Sequence, residues 1–108
     1  VIAPCAGTLA KAHPHAVALE AGATGILERL GIDTVTQHGR GFELLVQDGQ
    51  TVAAGDLLMR WDLSVSREAE LAVVTPVVVF EMRDITVTEL ANVGDPIAAG
   101  APLLLLAD

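Results

Sequence analysis

The chain has one cysteine, no tyrosine and only three aromatic side chains, Phe42, Phe80 and Trp61. A lone Cys5 permits no internal disulfide, which fits a reducing compartment such as the cytosol. With so few rings, the core of these 108 residues must be built from Val, Leu, Ile and Ala. Basic residues are also scarce: six Lys and Arg stand against fourteen Asp and Glu, for a net charge of −8. That balance, with the bases scattered, excludes a binder of nucleic-acid phosphates and argues against an anionic membrane surface. No apolar run reaches the roughly 20 residues of a membrane span; the longest, Ala72–Phe80 and Ile97–Ala107, are short and carry Pro or Gly. No membrane insertion is expected. There is no signal-peptide pattern, Gly-x-Ser-x-Gly elbow, phosphate loop, dinucleotide fingerprint or Cys-x-x-Cys pair, so no cofactor is implied.

What is present is a folded, apolar chain with 52% hydrophobic residues, and by length a single domain. Short β-branched runs are separated by Gly, Asp or Pro. They predict strands at Val1–Ala3, Gly7–Lys11, Ala16–Glu20, Gly25–Leu30, Thr34–Gln37, Phe42–Val46, Leu57–Trp61, Val73–Phe80, Ile85–Leu90 and Leu103–Leu106. Many short strands with frequent turns argue for an all-β sandwich or barrel. Leu63–Leu71 instead carries helix formers behind a Ser64 cap and predicts one short helix. Gly49-Gln50-Thr51-Val52-Ala53-Ala54-Gly55-Asp56-Leu57-Leu58 is echoed by Gly94-Asp95-Pro96-Ile97-Ala98-Ala99-Gly100-Ala101-Pro102-Leu103. Each copy reads as a turn, one apolar anchor, a second turn and a strand, in the manner of a quasi-symmetric barrel.

A series of motifs runs in order along the chain. Ala3-Pro4-x-x-Gly7-Thr8-Leu9 and His15-Ala16 are followed by Gly31-Ile32-Asp33-Thr34-Val35 and Gly39-x-Gly41-Phe42. Then come Gly49-Gln50-x-Val52-x-x-Gly55-Asp56, Trp61-Asp62-Leu63, Thr75-Pro76-Val77-Val78 and the final Gly-rich repeat. Order and spacing together closely resemble the glucose-type enzyme IIA domain of the bacterial phosphoenolpyruvate-dependent sugar phosphotransferase system, over essentially all 108 residues. The resemblance implies an antiparallel β-sandwich or barrel-sandwich with one short helix, lacking the N-terminal part of the family domain before Val1. It implies a cytoplasmic phosphocarrier. In the family, a histidine receives a phosphoryl group from the histidine-containing phosphocarrier protein and passes it to a sugar-specific IIB domain. The unphosphorylated form also binds and inhibits transporters and metabolic enzymes.

The family's phosphoacceptor lies two residues before Gly-Ile-Asp-Thr. Here that position is Arg29, in Leu27-Glu28-Arg29-Leu30-Gly31, and no histidine occurs between Ala16 and Gln37. The second family histidine is matched by His15 in Pro14-His15-Ala16, and His13 stands where the family commonly has Thr. A guanidinium stays protonated and has no nucleophilic lone pair, so Arg29 cannot carry phosphate covalently; it can bind a phosphate or carboxylate bidentately. Glu28, its neighbour, is expected on the opposite strand face. By the resemblance, His15 and Arg29 are the catalytic positions, and Asp33, Leu27 and Leu30 are expected at the partner surface. Asp33 reads equally as a turn cap.

Plainer readings compete. Arg29 reads as a drifted surface residue, His15 as a strand histidine, and His38 as part of a solvated glycine-rich loop. His13 and His15 are half a metal site, short of the three or four ligands zinc takes, and no metal is assigned. Cys5 reads as a small half-buried residue. Val79-Phe80-Glu81-Met82-Arg83 loosely resembles the modified hairpin of biotinyl and lipoyl carriers, but Arg83 cannot be acylated as the lysine there is. Two functions remain: a phosphocarrier with its acceptor replaced, or an inactive regulatory and interaction module of the same fold.

Overall fold

The structure, a computed structural model, describes residues 1–80 and 85–107. Alternation of apolar and polar residues is turned directly into layers. Strands β1 (Gly7–His13), β2 (Ala16–Ala21) and β3 (Thr24–Arg29) form an antiparallel meander. It is extended on one side by β5 (Thr51–Val52) and on the other by β7 (Val77–Phe80), giving the order β5-β1-β2-β3-β7. β4 (Phe42–Leu44) pairs with β6 (Met59–Trp61) in a second ribbon, and β8 (Thr86–Glu89) pairs with β9 (Leu104–Ala107) in a third. One helix, α1 (Leu63–Glu68), follows β6.

The core lies between the five-stranded sheet and the β4–β6 ribbon. Leu9, Val17, Leu19 and Ile26 enter from the sheet, Val52 from its edge, and Leu58 and Met59 from the ribbon side. It is aliphatic apart from Met59, as the scarcity of rings requires. Phe42 and Trp61, paired across β4 and β6 with centroids 5.6 Å apart, are packed at its margin.

The sequence repeat is repeated in the turns. Gly49, Gly55, Gly94 and Gly100 all have φ between 82° and 93°. Gln50 N donates to Gln47 O at 3.2 Å as Asp95 N does to Asn92 O at 3.0 Å, and Asp56 N to Ala53 O at 3.1 Å as Ala101 N does to Ala98 O at 3.0 Å. The first copy sends Val52 and Leu58 into the core, whereas the second leaves Ile97 and Leu103 exposed.

Several expected boundaries move. Thr34–Gln37 is not a strand but a single 3-10 turn. Asp33 enters it with φ 61°, and Thr34 Oγ1 and Thr36 Oγ1 donate to the carbonyls of Leu30 and Asp33, so the threonines bond locally rather than across a sheet. The helix cap is Asp62, not Ser64: its carboxylate accepts from Ser64 N at 3.0 Å. Val1–Ala3 contributes only an isolated bridge, Ile2 opposite Leu57. β7 begins at Val77, after Pro76, rather than at Val73. β5 was too short for the pattern to register. Residues 81–83 of the carrier-like hairpin lie outside the described residues.

Candidate functional site

The sheet brings the chemistry of the sequence to one corner. β1 and β2 are joined by a two-residue turn, Pro14-His15, so that His13 faces Ala16. Ala16 in turn faces Arg29 on β3. His13, Ala16 and Arg29 therefore form one row across three strands on the face opposite the core, because Val17, on the alternate face, is buried. At roughly 4.8 Å between strands, the two outer backbones stand about 10 Å apart with only an alanine methyl between them.

A β-bulge sets this row. Leu9 opposes Leu19 on the core side, but the register then slips so that Lys11 opposes Ala18 and His13 opposes Ala16. Under regular alternation Lys11 and His13 would follow Leu9 into the core; the one extra residue at Ala10 shifts the register and turns them outward. The turn folds His15 back against His13, and their rings stack at 15° with centroids 5.7 Å apart. Pro14 occupies the turn and so helps to produce that proximity.

The end of β3 is held on both sides. Arg29 N donates to Pro76 O at 3.0 Å and Leu30 N to His15 O at 2.9 Å. Leu30 is 1% exposed, so it supports the corner from beneath and offers no partner surface. Leu27 is half-buried on the same outer face as Arg29, in a cross-strand row with Ala18 and Val78. An apolar strip thus borders the cationic row. Asp33 is exposed, and its carboxylate makes no cap bond to the 3-10 turn; its backbone carbonyl accepts from Thr36 instead.

Glu28 faces inward, opposite Val17 and Val77, as its strand position requires. Burial raises its carboxyl above the usual range, partly opposed by the chain's amino terminus. Cys5 is half-buried, and burial, then Glu28, raise its thiol. Burial and a neighbouring carboxylate disfavour the thiolate, the reactive form, and so nothing marks Cys5 as a nucleophile. His38 also adopts a left-handed conformation, φ 52°, and lies with Arg40 and Glu68 on a shallow cavity of about 340 Å³ beside α1. That loop is locked by polar bonds the sequence did not reveal: Trp61 Nε1 donates to Ser66 Oγ, Ser66 Oγ to Gln37 Oε1, and Gln37 Nε2 to Arg40 O. Among the described residues, no three His, Cys, Asp or Glu side chains are grouped to hold a metal ion.

His15 is held below the usual histidine value by burial first, then by the charges of His13 and Arg29. An unfolded chain therefore binds more protons at His15 than the folded one. This residue's contribution to stability is intact above the histidine range and falls as acid is added. In a pH titration of the ring protons by NMR, His15 should titrate below a free histidine. Arg29→Gln should move it upward. A His15 midpoint unchanged by that substitution would contradict the proximity described.

Residues 1–85 match the model of the family described as phosphoenolpyruvate-dependent sugar phosphotransferase system, EIIA 1. The chain is 41% identical over 81 residues to the PTS system glucosamine-specific EIICBA component of Bacillus subtilis, covering 72% of this chain and 13% of that protein. It is 37% identical over 92 residues to the PTS system glucose-specific EIIA component of Halalkalibacterium halodurans, covering 82% of this chain and 53% of that protein. Among solved structures, the glucose permease IIA from Mycoplasma capricolum superposes with a TM-score of 0.66 at 36% identity, over 72% of this chain and 53% of that one. The chain thus spans about half the length of the single-component relatives it matches.

Proposed function

Because this chain belongs to the EIIA 1 family of the phosphoenolpyruvate-dependent sugar phosphotransferase system, we propose that it docks with the proteins of that system at the His13–Arg29 corner but forms no phosphohistidine at position 29. Its partners are the histidine-containing phosphocarrier protein and a sugar-specific IIB domain, together with transporters or enzymes that an unphosphorylated EIIA domain restrains.

The observation that carries this reading is the place of Arg29. It stands on the outer face at the end of β3, two residues before Gly31 and one strand away from the turn that holds His15. Phosphoryl transfer has a loose, in-line transition state, so a carrier protein mainly positions the group and offsets its charge. The atom that accepts the group must still be a nucleophile. A neutral imidazole supplies one near pH 7; a guanidinium does not. Docking needs less: an accessible, shallow surface with an apolar strip, which Ala18, Leu27 and Val78 provide beside the charged row.

The test is a titration of the isotope-labelled chain with unphosphorylated phosphocarrier protein, followed by amide NMR. Shifts should gather on His13–Ala16, Leu27, Arg29 and Ile32–Asp33. No shifts at all, or shifts confined to the β8–β9 ribbon, would overturn the docking assignment.

A further inference from the structure

We propose that the corner is an oxyanion receptor: Arg29 and His13, on either side of Ala16, together with His15, hold a phosphoryl group that stays covalently bonded to its donor. The inference rests on docking at this corner and adds what the corner recognises there.

Four observations lead to it. First, Ala16 puts only a methyl between two hydrogen-bond donors that share one face of the sheet, leaving room for a tetrahedral group. Arg offers a planar fork of N–H donors suited to two oxygens of a phosphoryl group, and an imidazole N–H suits a third. Second, among the described residues the donors are unspent. Among the described residues the ion pairs are Lys11–Asp48 at 3.8 Å and Arg60–Glu43 at 3.5 Å; none engages Arg29. The adjacent carboxylate, Glu28, lies on the other face, and Asp33 forms no pair with Arg29.

Third, the row sets a fixed cation, Arg29, beside two imidazoles in an otherwise acidic chain. A net charge of −8 repels a dianion, so binding requires a local reversal of sign. His13, His15 and Arg29 lie around the Pro14 turn. The backbone of the neighbouring loop approaches the same turn, since a Cβ at Gly39 would lie 3.7 Å from Pro14 Cγ, while His38 and Arg40 line the cavity beside α1. Fourth, a receptor needs no acceptor nucleophile, which is what the side chain at position 29 lacks.

The same phosphoryl chemistry is offered by free phosphate and by a phosphohistidine on a partner protein, so the test has two arms on the whole chain. In the first, inorganic phosphate is titrated at constant ionic strength against chloride while the imidazole resonances are followed. Phosphate should move the His13 and His15 signals saturably and chloride should not. Arg29→Gln should weaken phosphate binding about tenfold, the scale of losing one charged hydrogen-bonding partner. His13→Gln, at an exposed strand end, should weaken it less and serves as an independent arm if Arg29→Gln is misfolded. In the second arm, phosphorylated phosphocarrier protein should bind more tightly than the unphosphorylated form, and Arg29→Gln should abolish the difference.

Equal responses to phosphate and chloride, or phosphate binding indifferent to both substitutions, would overturn the receptor. Phosphate binding without a preference for the phosphorylated partner would restrict the site to free phosphate and overturn its role in docking. Loss of the receptor alone leaves the docking shifts of the unphosphorylated partner in place, so the two failures are distinguishable.

Discussion

Arg29→His should take up acid-labile phosphate from phosphoenolpyruvate when mixed with enzyme I and the phosphocarrier protein. The backbone at position 29 is already fixed by the bond from its N–H to Pro76 O, by pairing with Ala16 and by the buried Leu30 that follows. A ring placed on the same Cβ points outward beside His15 and brings a lone pair where the guanidinium has none. The expected change is from no label to label approaching one group per chain, in the alkali-stable, acid-labile form of a phosphoramidate. In that background His15→Gln should slow uptake by roughly ten- to a hundredfold, at or below the usual worth of a positioned catalytic side chain. An Arg29→His variant that docks but stays unlabelled would show that this corner has lost the geometry of transfer as well as its nucleophile.

Gly31→Ala should be among the most damaging single substitutions at the corner. Gly31 has φ 80°, and an added Cβ would fall 2.6 Å from Thr34 Cγ2 and 2.7 Å from the backbone oxygen of Ala72. That oxygen also accepts from Ile32 N at 3.0 Å, so neither neighbour can retreat without breaking the link between the end of β3 and the segment before β7. Left-handed backbone costs an alanine about 1 kcal/mol and overpacking adds about 1–3 kcal/mol. A loss of about 2–4 kcal/mol corresponds to a fall in Tm of roughly 10–25 °C for a domain of this size. Gly49→Ala separates the two causes. Its φ is 83°, but nothing lies within 4 Å of the added Cβ. It should cost only about 1 kcal/mol. Equal losses at the two glycines in a urea unfolding series would contradict the crowding at Gly31.

Some of the corner was legible from sequence. Period-two alternation put Glu28 on the face opposite Arg29, and the structure has it there. What could not be read is what makes the row. The bulge sits in Leu9-Ala10-Lys11, which contains no glycine or proline to mark it, so the outward turn of His13 was invisible. Thr34-Val35-Thr36 carries β-branched residues and reads as a strand; its threonine hydroxyls instead bond to nearby carbonyls and tighten a 3-10 turn. Ser64 is a good cap by type, but Asp62 lies two residues nearer the start and accepts the bond. The resemblance set Leu30 at the partner surface; the chain leaves the sheet there, and its side chain drops into the core. The repeat was visible as letters and is carried through as matched turns, although only its first copy feeds the core.

The most direct measurement is the phosphotransfer assay on the unaltered chain, with Arg29→His in the same mixture to show that the donor proteins are turning over. Phosphorus NMR of the isolated chain should contain no phosphohistidine signal while the variant acquires one. A phosphohistidine on His13 or His15 of the unaltered chain would contradict the claim that this corner binds the phosphoryl group without taking it.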